Sequence, residues 1–118
     1  MYNERYKQNK KHNINKQEWL ICKQYFNNSC AYCGISEKEA KKLYGQALHK
    51  EHVINDGSND LSNCVPACKE CNSEKNTKNF NEWYNEDNPK YNKERFEKII
   101  KWLTKDNFKI NNERGNTH

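Results

Sequence analysis

Apolar residues recur at helical spacing in two separate stretches of the chain. Near its beginning, Trp19, Cys22 and Phe26 fall at positions i, i+3 and i+7, which places them on one face of a helix over residues 16–26. A stronger pattern predicts a helix over residues 93–103, in which four apolar side chains share a face: Phe96, Ile99, Ile100 and Leu103. We expect this second helix to cover a small core.

Two shorter helical segments lie between these stretches. Residues 36–44 predict a short helix with Ser36 as its N-cap, and Gly45 ends it because glycine readily adopts the left-handed backbone of a helix terminus. Residues 80–84 predict one or two helical turns, which are broken before Pro89.

The middle of the chain predicts a strand, a loop, a second strand and a helix, in that order. Residues 46–54 form the first strand, the turn-rich residues 55–60 form the loop, and residues 63–65 form a short return strand closed by Pro66. A further helix opens at Lys69. Strands and helices mixed in one short chain indicate a small α+β fold.

Composition limits the size of the core and indicates the kind of partner. The chain has 118 residues, of which 33% are hydrophobic and 31% are charged, so it forms one domain with a small core. A formal net charge of +5 suits a polyanionic partner, most simply a nucleic acid. A bound metal would help to offset the entropy lost on ordering so small a domain.

Polarity also predicts the organisation of the chain. We expect a flexible basic arm over residues 1–15, a folded domain with a C-terminal helical extension over residues 16–104, and a polar tail over residues 105–118. The first residues lack the apolar segment of a signal peptide, and no apolar run is long enough to span a membrane. These features predict a cytoplasmic protein with no membrane partner.

Four of the six cysteines have the spacing of a structural zinc site. They form two Cys-x-x-Cys pairs separated by 34 residues, and four thiolates close a tetrahedral shell around one ion: Cys30, Cys33, Cys68 and Cys71. A closed shell leaves no position for a reacting water, so this zinc would be structural. A plain zinc ribbon with solvated polar loops is the alternative. Cys22 fits a core position, whereas Cys64 could compete for the zinc.

The segment EHVINDGSNDLSNCVPACKECNSEK, which begins at Glu51, resembles the HNH endonuclease motif. The motif runs through an acid–His pair, a glycine-containing loop, a lone Asn, a Cys-x-x-Cys-Asn and a nearby Lys. The upstream CAYCG resembles the first half of the zinc-binding knuckles of many members. The resemblance covers roughly residues 19–103 and implies a ββα-metal finger with flanking helices, in a bacterial or phage-encoded protein.

The resemblance implies a role for each matching residue. His52 corresponds to the general base, and Asn63 to the residue that ties the loop and orients the histidine. Glu51 and Asn72 correspond to ligands of a catalytic Mg²⁺ or Mn²⁺, and Lys75 to a basic residue facing phosphate. The cysteine pairs correspond to the zinc ligands. The family usually has Asp at the position of Glu51, and its longer side chain would move the carboxylate at a metal with strict geometry.

The alternation of side chains along the first strand leaves two histidines to be weighed. His49 and Glu51 share one face, and His52 faces the other way, so His52 reaches the site only if the strand twists or ends there. We assign the base to His52 because it directly follows the acid. His49 and Lys50 are then candidate DNA contacts.

These roles together predict a metal-dependent DNA endonuclease. Histidine titrates near neutral pH and can take a proton from the attacking water, while a divalent ion stabilises charge on the scissile phosphate. We expect double-stranded DNA as substrate, and either a monomer or a homodimer. The alternative is a zinc-containing nucleic-acid-binding or phage-packaging accessory module without efficient cleavage.

Overall fold

The computed structural model describes residues 13–108, so most of the predicted arm and tail lies outside the described residues. The described part contains five α-helices and one two-stranded antiparallel sheet. The elements in chain order are α1 (Lys16–Tyr25), α2 (Glu37–Tyr44), β1 (His49–His52), a 3₁₀ turn (Leu61–Asn63), β2 (Cys64–Ala67), α3 (Lys69–Lys75), α4 (Phe80–Trp83), α5 (Lys93–Lys101) and a π-helical turn (Trp102–Asp106). The small α+β fold and its ββα order, β1–β2–α3, are confirmed.

Helix α1 begins with a capping box that the sequence analysis did not identify. The Asn15 side chain accepts a hydrogen bond from the Glu18 N–H at 2.8 Å, and the Glu18 carboxylate accepts one from the Asn15 N–H at 3.0 Å. Two donors that the helix start would leave unpaired are thereby satisfied. At the other end, Asn27 and Asn28 have positive φ angles of 60° and 54°, a conformation that asparagine tolerates and a helix cannot continue through.

Helix α2 has the predicted caps. The Ser36 hydroxyl accepts a hydrogen bond from the Glu39 N–H at 3.1 Å, and Gly45 ends the helix with a left-handed φ of 72°. Lys23 of α1 forms a salt bridge with Glu37 at 3.1 Å, which fastens the start of α2 to α1. The predictions of Ser36 as N-cap and Gly45 as the helix end are confirmed.

The two strands are short, and their register is fixed. Glu51 lies opposite Val65, and Lys50 lies opposite Pro66. The prediction that Pro66 closes the second strand is wrong, because Pro66 lies inside β2. Proline fits there because both strands are edge strands, where a missing N–H costs no ladder bond. The Pro66 carbonyl accepts from the Ala31 N–H at 2.8 Å, which joins the first cysteine knuckle to the sheet.

The C-terminal helix is longer and less regular than predicted. Helix α5 starts at its N-cap Asn92, whose side chain accepts from the Arg95 N–H at 2.9 Å, and it widens into the π-helical turn after Lys101. The Asn107 side-chain amide donates to the carbonyls of Trp102 and Leu103 at 2.7 and 3.0 Å. These bonds satisfy two carbonyls near the helix end, where the chain supplies fewer backbone donors.

The core is small and aromatic. Tyr32, Tyr84 and Trp102 are fully buried, and each carries a polar atom that has a partner. The Tyr84 hydroxyl donates to the Tyr32 carbonyl at 2.6 Å, and the Trp102 indole N–H donates to the Cys64 carbonyl at 2.8 Å. Within the described residues, no helix has the length and apolar character needed to cross a membrane.

Candidate active site and metal centre

The four predicted cysteines converge on one point. Their sulfur atoms all lie within 4.8 Å of one another, and the Sγ atoms of Cys33 and Cys68 are 3.8 Å apart. A tetrahedral ion with metal–sulfur bonds of about 2.3 Å separates its sulfurs by about 3.8 Å. The prediction that these cysteines come together is confirmed, and the set fits a single ion held by four residues: Cys30, Cys33, Cys68 and Cys71.

Each cysteine pair is shaped by its own backbone. The Cys33 N–H donates to the Cys30 sulfur at 3.5 Å, and the Cys71 N–H donates to the Cys68 sulfur at 3.4 Å. Gly34 follows the first pair with a left-handed φ of 86°, and a Cβ built there would lie 2.9 Å from the Arg95 guanidinium. Glycine suits this turn because it adopts a left-handed backbone without strain, whereas any larger residue would also have to displace the end of the Arg95 side chain.

The thiols of this cluster share protons unequally. Hydrogen bonding from Cys30 lowers the pKa of Cys33 to about 7, and it also lowers the pKa of Cys68 strongly. Hydrogen bonding to Cys33 raises the pKa of Cys30, and hydrogen bonding with Cys30 raises the pKa of Cys71. The four thiols are therefore close enough for each to affect the protonation of the others. Because metal ligands must be deprotonated, an incoming ion would displace their protons.

The two other cysteines belong to the core and not to this cluster. Cys22 is fully buried, and its thiol donates to the Cys64 carbonyl at 3.6 Å. Cys64 is 1% exposed and contributes no sulfur to the four-cysteine group. The prediction of Cys22 as a core residue is confirmed. The concern that Cys64 could compete for the metal receives no support from its position in β2.

His52 is the last residue of β1 and is half-buried. Its Nε2 atom lies 2.9 Å from Oδ1 of Asn59, in the loop that follows the strand. The sequence predicted that His52 could reach the site only if the strand twisted or ended there. Strand β1 does end at His52. The ring is held by the loop, in a position that retains contact with solvent.

Asn63 ties that loop into a closed turn. Its Oδ1 atom accepts from the Ile54 N–H at 2.9 Å, and its amide donates to the carbonyls of Ile54 and Ser58 at 2.8 and 3.0 Å. The loop backbone approaches so closely that a Cβ added at Gly57 would lie 2.7 Å from the Asn63 amide nitrogen. Asn63 is 5% exposed, so it acts inside the loop and has little surface for a ligand.

Glu51 points into the protein. Its side chain is only 4% exposed, one oxygen accepts from the Tyr32 hydroxyl at 2.6 Å, and the other accepts from Lys75 Nζ at 3.1 Å. Burial raises the pKa of the Glu51 carboxyl, and Lys75 and Tyr32 oppose that effect. Burial and the nearby Glu51 carboxylate together raise the pKa of Tyr32, which keeps its hydroxyl as a donor.

Lys75 is also interior, with no exposed side-chain surface. Its Nζ atom donates to the His52 carbonyl at 3.0 Å as well as to Glu51. Asn72 lies three residues earlier on α3, so the two share a helix face, and Asn72 is half-buried. The phosphate contact predicted for Lys75 stays a prediction, and in this conformation its ammonium group is not on the surface.

The predicted ligand pair of a catalytic divalent ion therefore does not fit as it stands. Mg²⁺ and Mn²⁺ need several oxygen ligands around them. Asn72 can offer a partly exposed amide oxygen, but each Glu51 oxygen already has a buried donor. The role of Glu51 as a metal ligand stays a prediction that this geometry does not favour.

The candidate DNA contacts on β1 lie at the surface. His49 is half-buried, with Nε2 2.8 Å from the Gln46 side-chain oxygen. Lys50 is half-buried, and its Nζ atom lies 5.5 Å from the ring centre of Trp19. Lys50 and His52 are two residues apart on the strand and so leave the same face of it.

Two residues of this site were missed by the sequence analysis. Asn59 contacts the His52 ring, and Tyr32 contacts the Glu51 carboxylate. A polar residue in a turn-rich loop carries no sequence signal that distinguishes it from its neighbours. Tyr32 could have been identified from the sequence. It lies between two predicted metal ligands, Cys30 and Cys33, so a bound metal would fix its position.

Comparison with known proteins supports the motif reading. Residues 30–78 match the family model described as HNH endonuclease. A Bacillus subtilis (strain 168) protein named "SPbeta prophage-derived putative HNH endonuclease YoqL" is 50% identical to this chain over 99 residues, which is 80% of this chain and 43% of the relative. The chain thus spans less than half the length of that relative. No solved structure matches.

Proposed function

We propose that this chain, whose residues 30–78 match the HNH endonuclease family model, hydrolyses phosphodiester bonds in DNA with His52 as general base. The observation that carries the proposal is the position of His52. It lies at the end of β1, half-buried, with its ring held by Asn59. A positioned imidazole that retains contact with solvent can take a proton from an attacking water.

The surrounding residues would fix that imidazole against the substrate. Asn63 closes the loop that carries Asn59, so the partner of the ring is itself held in place. Lys50, on the same strand face as His52, would contact the phosphate backbone and add the salt-sensitive part of the affinity. We assign double-stranded DNA as the substrate, as the family resemblance implies, and the net charge of +5 suits such a polyanion.

We assign the four-cysteine centre to structural zinc. Four sulfur ligands close a tetrahedral shell, and zinc is the ion that proteins most often hold in this way. The centre joins the Cys30–Cys33 knuckle to Cys68 and Cys71 at the start of α3, so it would hold the ββα unit to the preceding part of the chain. A divalent ion such as Mg²⁺ or Mn²⁺, as the family resemblance implies, would stabilise negative charge on the scissile phosphate.

A plasmid cleavage assay tests the proposal. Supercoiled plasmid would be incubated with zinc-loaded protein plus Mg²⁺, plus Mn²⁺ or with no added divalent ion, because a strong chelator would also attack the structural site. We expect His52→Ala to abolish cleavage, and Lys42→Ala, which removes an exposed lysine from the last turn of α2, to retain most of it. Nicked product would indicate single-strand cleavage, and linear product would indicate coordinated cleavage of both strands.

A second function is favoured by one observation, the enclosed carboxylate of Glu51. If the domain lacks an accessible acidic ligand for a catalytic ion, it would act as a zinc-containing module that binds nucleic acid without efficient cleavage. The two functions are separated by measuring DNA binding beside cleavage. Binding without cleavage under all metal conditions, by folded protein with one zinc per chain, would favour the binding module.

A further inference from the structure

Three side chains from three separate elements meet beneath the end of β1. Tyr32 comes from the first cysteine knuckle, Glu51 from β1 and Lys75 from the last turn of α3. Tyr32 and Lys75 are fully buried and Glu51 is 4% exposed, so the group is closed to solvent. The carboxylate accepts from the tyrosine hydroxyl at 2.6 Å and from the ammonium group at 3.1 Å.

Both donors are attached to the metal-binding knuckles. Tyr32 lies between Cys30 and Cys33, so a metal held by that pair also fixes the tyrosine. Its carbonyl accepts hydrogen bonds from the Tyr84 hydroxyl at 2.6 Å and from Arg95 Nε at 2.8 Å, which secures it from the opposite side. Lys75 follows Cys71 by four residues on the helix that the second cysteine pair begins. The positions of both donors are therefore set by the centre.

The group also reaches the backbone of His52. Lys75 donates to the His52 carbonyl at 3.0 Å, and Glu51 is the preceding residue. A burial of two opposite charges is weak evidence for added stability, because their desolvation offsets much of their attraction. The hydrogen bonds of this group do, however, restrict the positions of the atoms that they join. One of these atoms is the backbone carbonyl oxygen of His52, the candidate base.

We propose that Tyr32, Glu51 and Lys75 form a buried linkage through which the zinc centre positions His52, with Glu51 as the hub of the linkage and not as a ligand of the catalytic ion. This inference rests on the proposed function for the role of His52. The three are positioning residues, because their buried side chains would not reach the substrate. Tyr32 and Lys75 act through Glu51 and through the His52 backbone.

Tyr32→Phe is the sharpest test, because it removes one hydroxyl and retains the buried ring. Its matched control is Tyr44→Phe, which removes a hydroxyl that donates to Glu70 at 3.0 Å on the exposed side of the molecule. We expect Tyr32→Phe to lower kcat about tenfold, with unchanged DNA affinity and one zinc per chain. The His52 ring resonances should shift in its NMR spectrum, and Tyr44→Phe should change neither quantity.

Glu51→Gln tests the other half of the proposal. The affinity of the variant's protein–DNA complex for Mn²⁺, measured by electron paramagnetic resonance, should stay within about twofold of the wild-type affinity. A loss of Mn²⁺ affinity of tenfold or more would make Glu51 a metal ligand and overturn the proposal. If Glu51→Gln does not fold, Tyr32→Phe decides the matter, and unchanged His52 resonances in that variant would equally overturn it.

Failure of the proposed function would be recognised separately. Wild-type protein that binds one zinc but does not cleave would remove the nuclease assignment. The NMR comparison of Tyr32→Phe with Tyr44→Phe would still decide whether the linkage positions His52, because it measures the ring and not the reaction.

Discussion

The Nε2 atom of His52 lies 2.9 Å from the side-chain oxygen of Asn59, seven residues later in the chain. An amide oxygen can only accept a hydrogen bond, so this contact fits a ring that carries a proton on Nε2. The loop thus orients the candidate base. Asn63 holds the loop closed through three hydrogen bonds to Ile54 and Ser58, so the contact between His52 and Asn59 depends on Asn63 as well.

Replacing Asn59 should therefore alter the reaction more than the fold. We expect Asn59→Ala to lower kcat about fivefold, because one orienting hydrogen bond contributes about 1 kcal/mol. Asn59→Asp would place a carboxylate beside the ring and stabilise its protonated form. The acidic limb of the pH–rate profile should then move to higher pH by about one unit. A profile that is unchanged in Asn59→Asp would show that His52 is not the group that titrates.

Loss of one zinc ligand should destabilise the whole domain. Structural zinc contributes roughly 10–16 kcal/mol of apparent folding free energy in small zinc-binding peptides, and a domain of this kind is stable by only about 5–15 kcal/mol. We expect Cys68→Ser to be unfolded or zinc-free by circular dichroism and elemental analysis. Cys64→Ala, which alters a buried cysteine outside the cluster, should keep one zinc per chain. A folded Cys68→Ser variant with full zinc content would contradict the assignment of the four ligands.

The order of the elements and the grouping of the four cysteines could be predicted from sequence, because both depend on local signals. Ser36 and Gly45 mark the ends of α2 by their own chemistry, and the cysteine spacing encodes the metal centre. Alternation along β1 also showed that Glu51 and His52 leave opposite faces. These features need no knowledge of which elements pack together.

The inward position of Glu51 could not be predicted, because its partners are brought close only by the fold. Tyr32 lies 19 residues before it and Lys75 lies 24 residues after it. A motif assigns an acid next to a histidine but does not say which face of the strand meets the core. The same limit applies to Lys75, whose place in the motif implied a phosphate contact, and to Asn59, whose role depends on where the loop folds back.

Gly57 and Gly45 allow the effect of close packing to be compared with the effect of backbone strain. A Cβ at Gly57 would lie 2.7 Å from the Asn63 amide nitrogen and 3.1 Å from the Ile54 carbonyl oxygen, whereas a Cβ at Gly45 would meet nothing within 4 Å. We expect Gly45→Ala to cost about 1 kcal/mol, for its left-handed backbone alone. Gly57→Ala should cost about 1–3 kcal/mol through overpacking and should also lower kcat, because the loop carries Asn59. Urea unfolding and cleavage rates would measure both, and equal kcat losses in the two variants would contradict this reading of the loop.

Lys50 should contribute to DNA affinity through charge, because it leaves β1 on the same face as His52. We expect Lys50→Ala to weaken binding to all DNA sequences alike and to reduce the slope of log Kd against log salt concentration by about one, as expected for the loss of one phosphate contact. The matched control is Lys42→Ala, which removes an exposed lysine from the last turn of α2. Fluorescence anisotropy at several salt concentrations, with no divalent ion added, measures the slope without cleavage. If Lys50→Ala and Lys42→Ala change the slope equally, the positive charge acts through the whole surface, and the face of β1 beside His52 is not where the backbone binds.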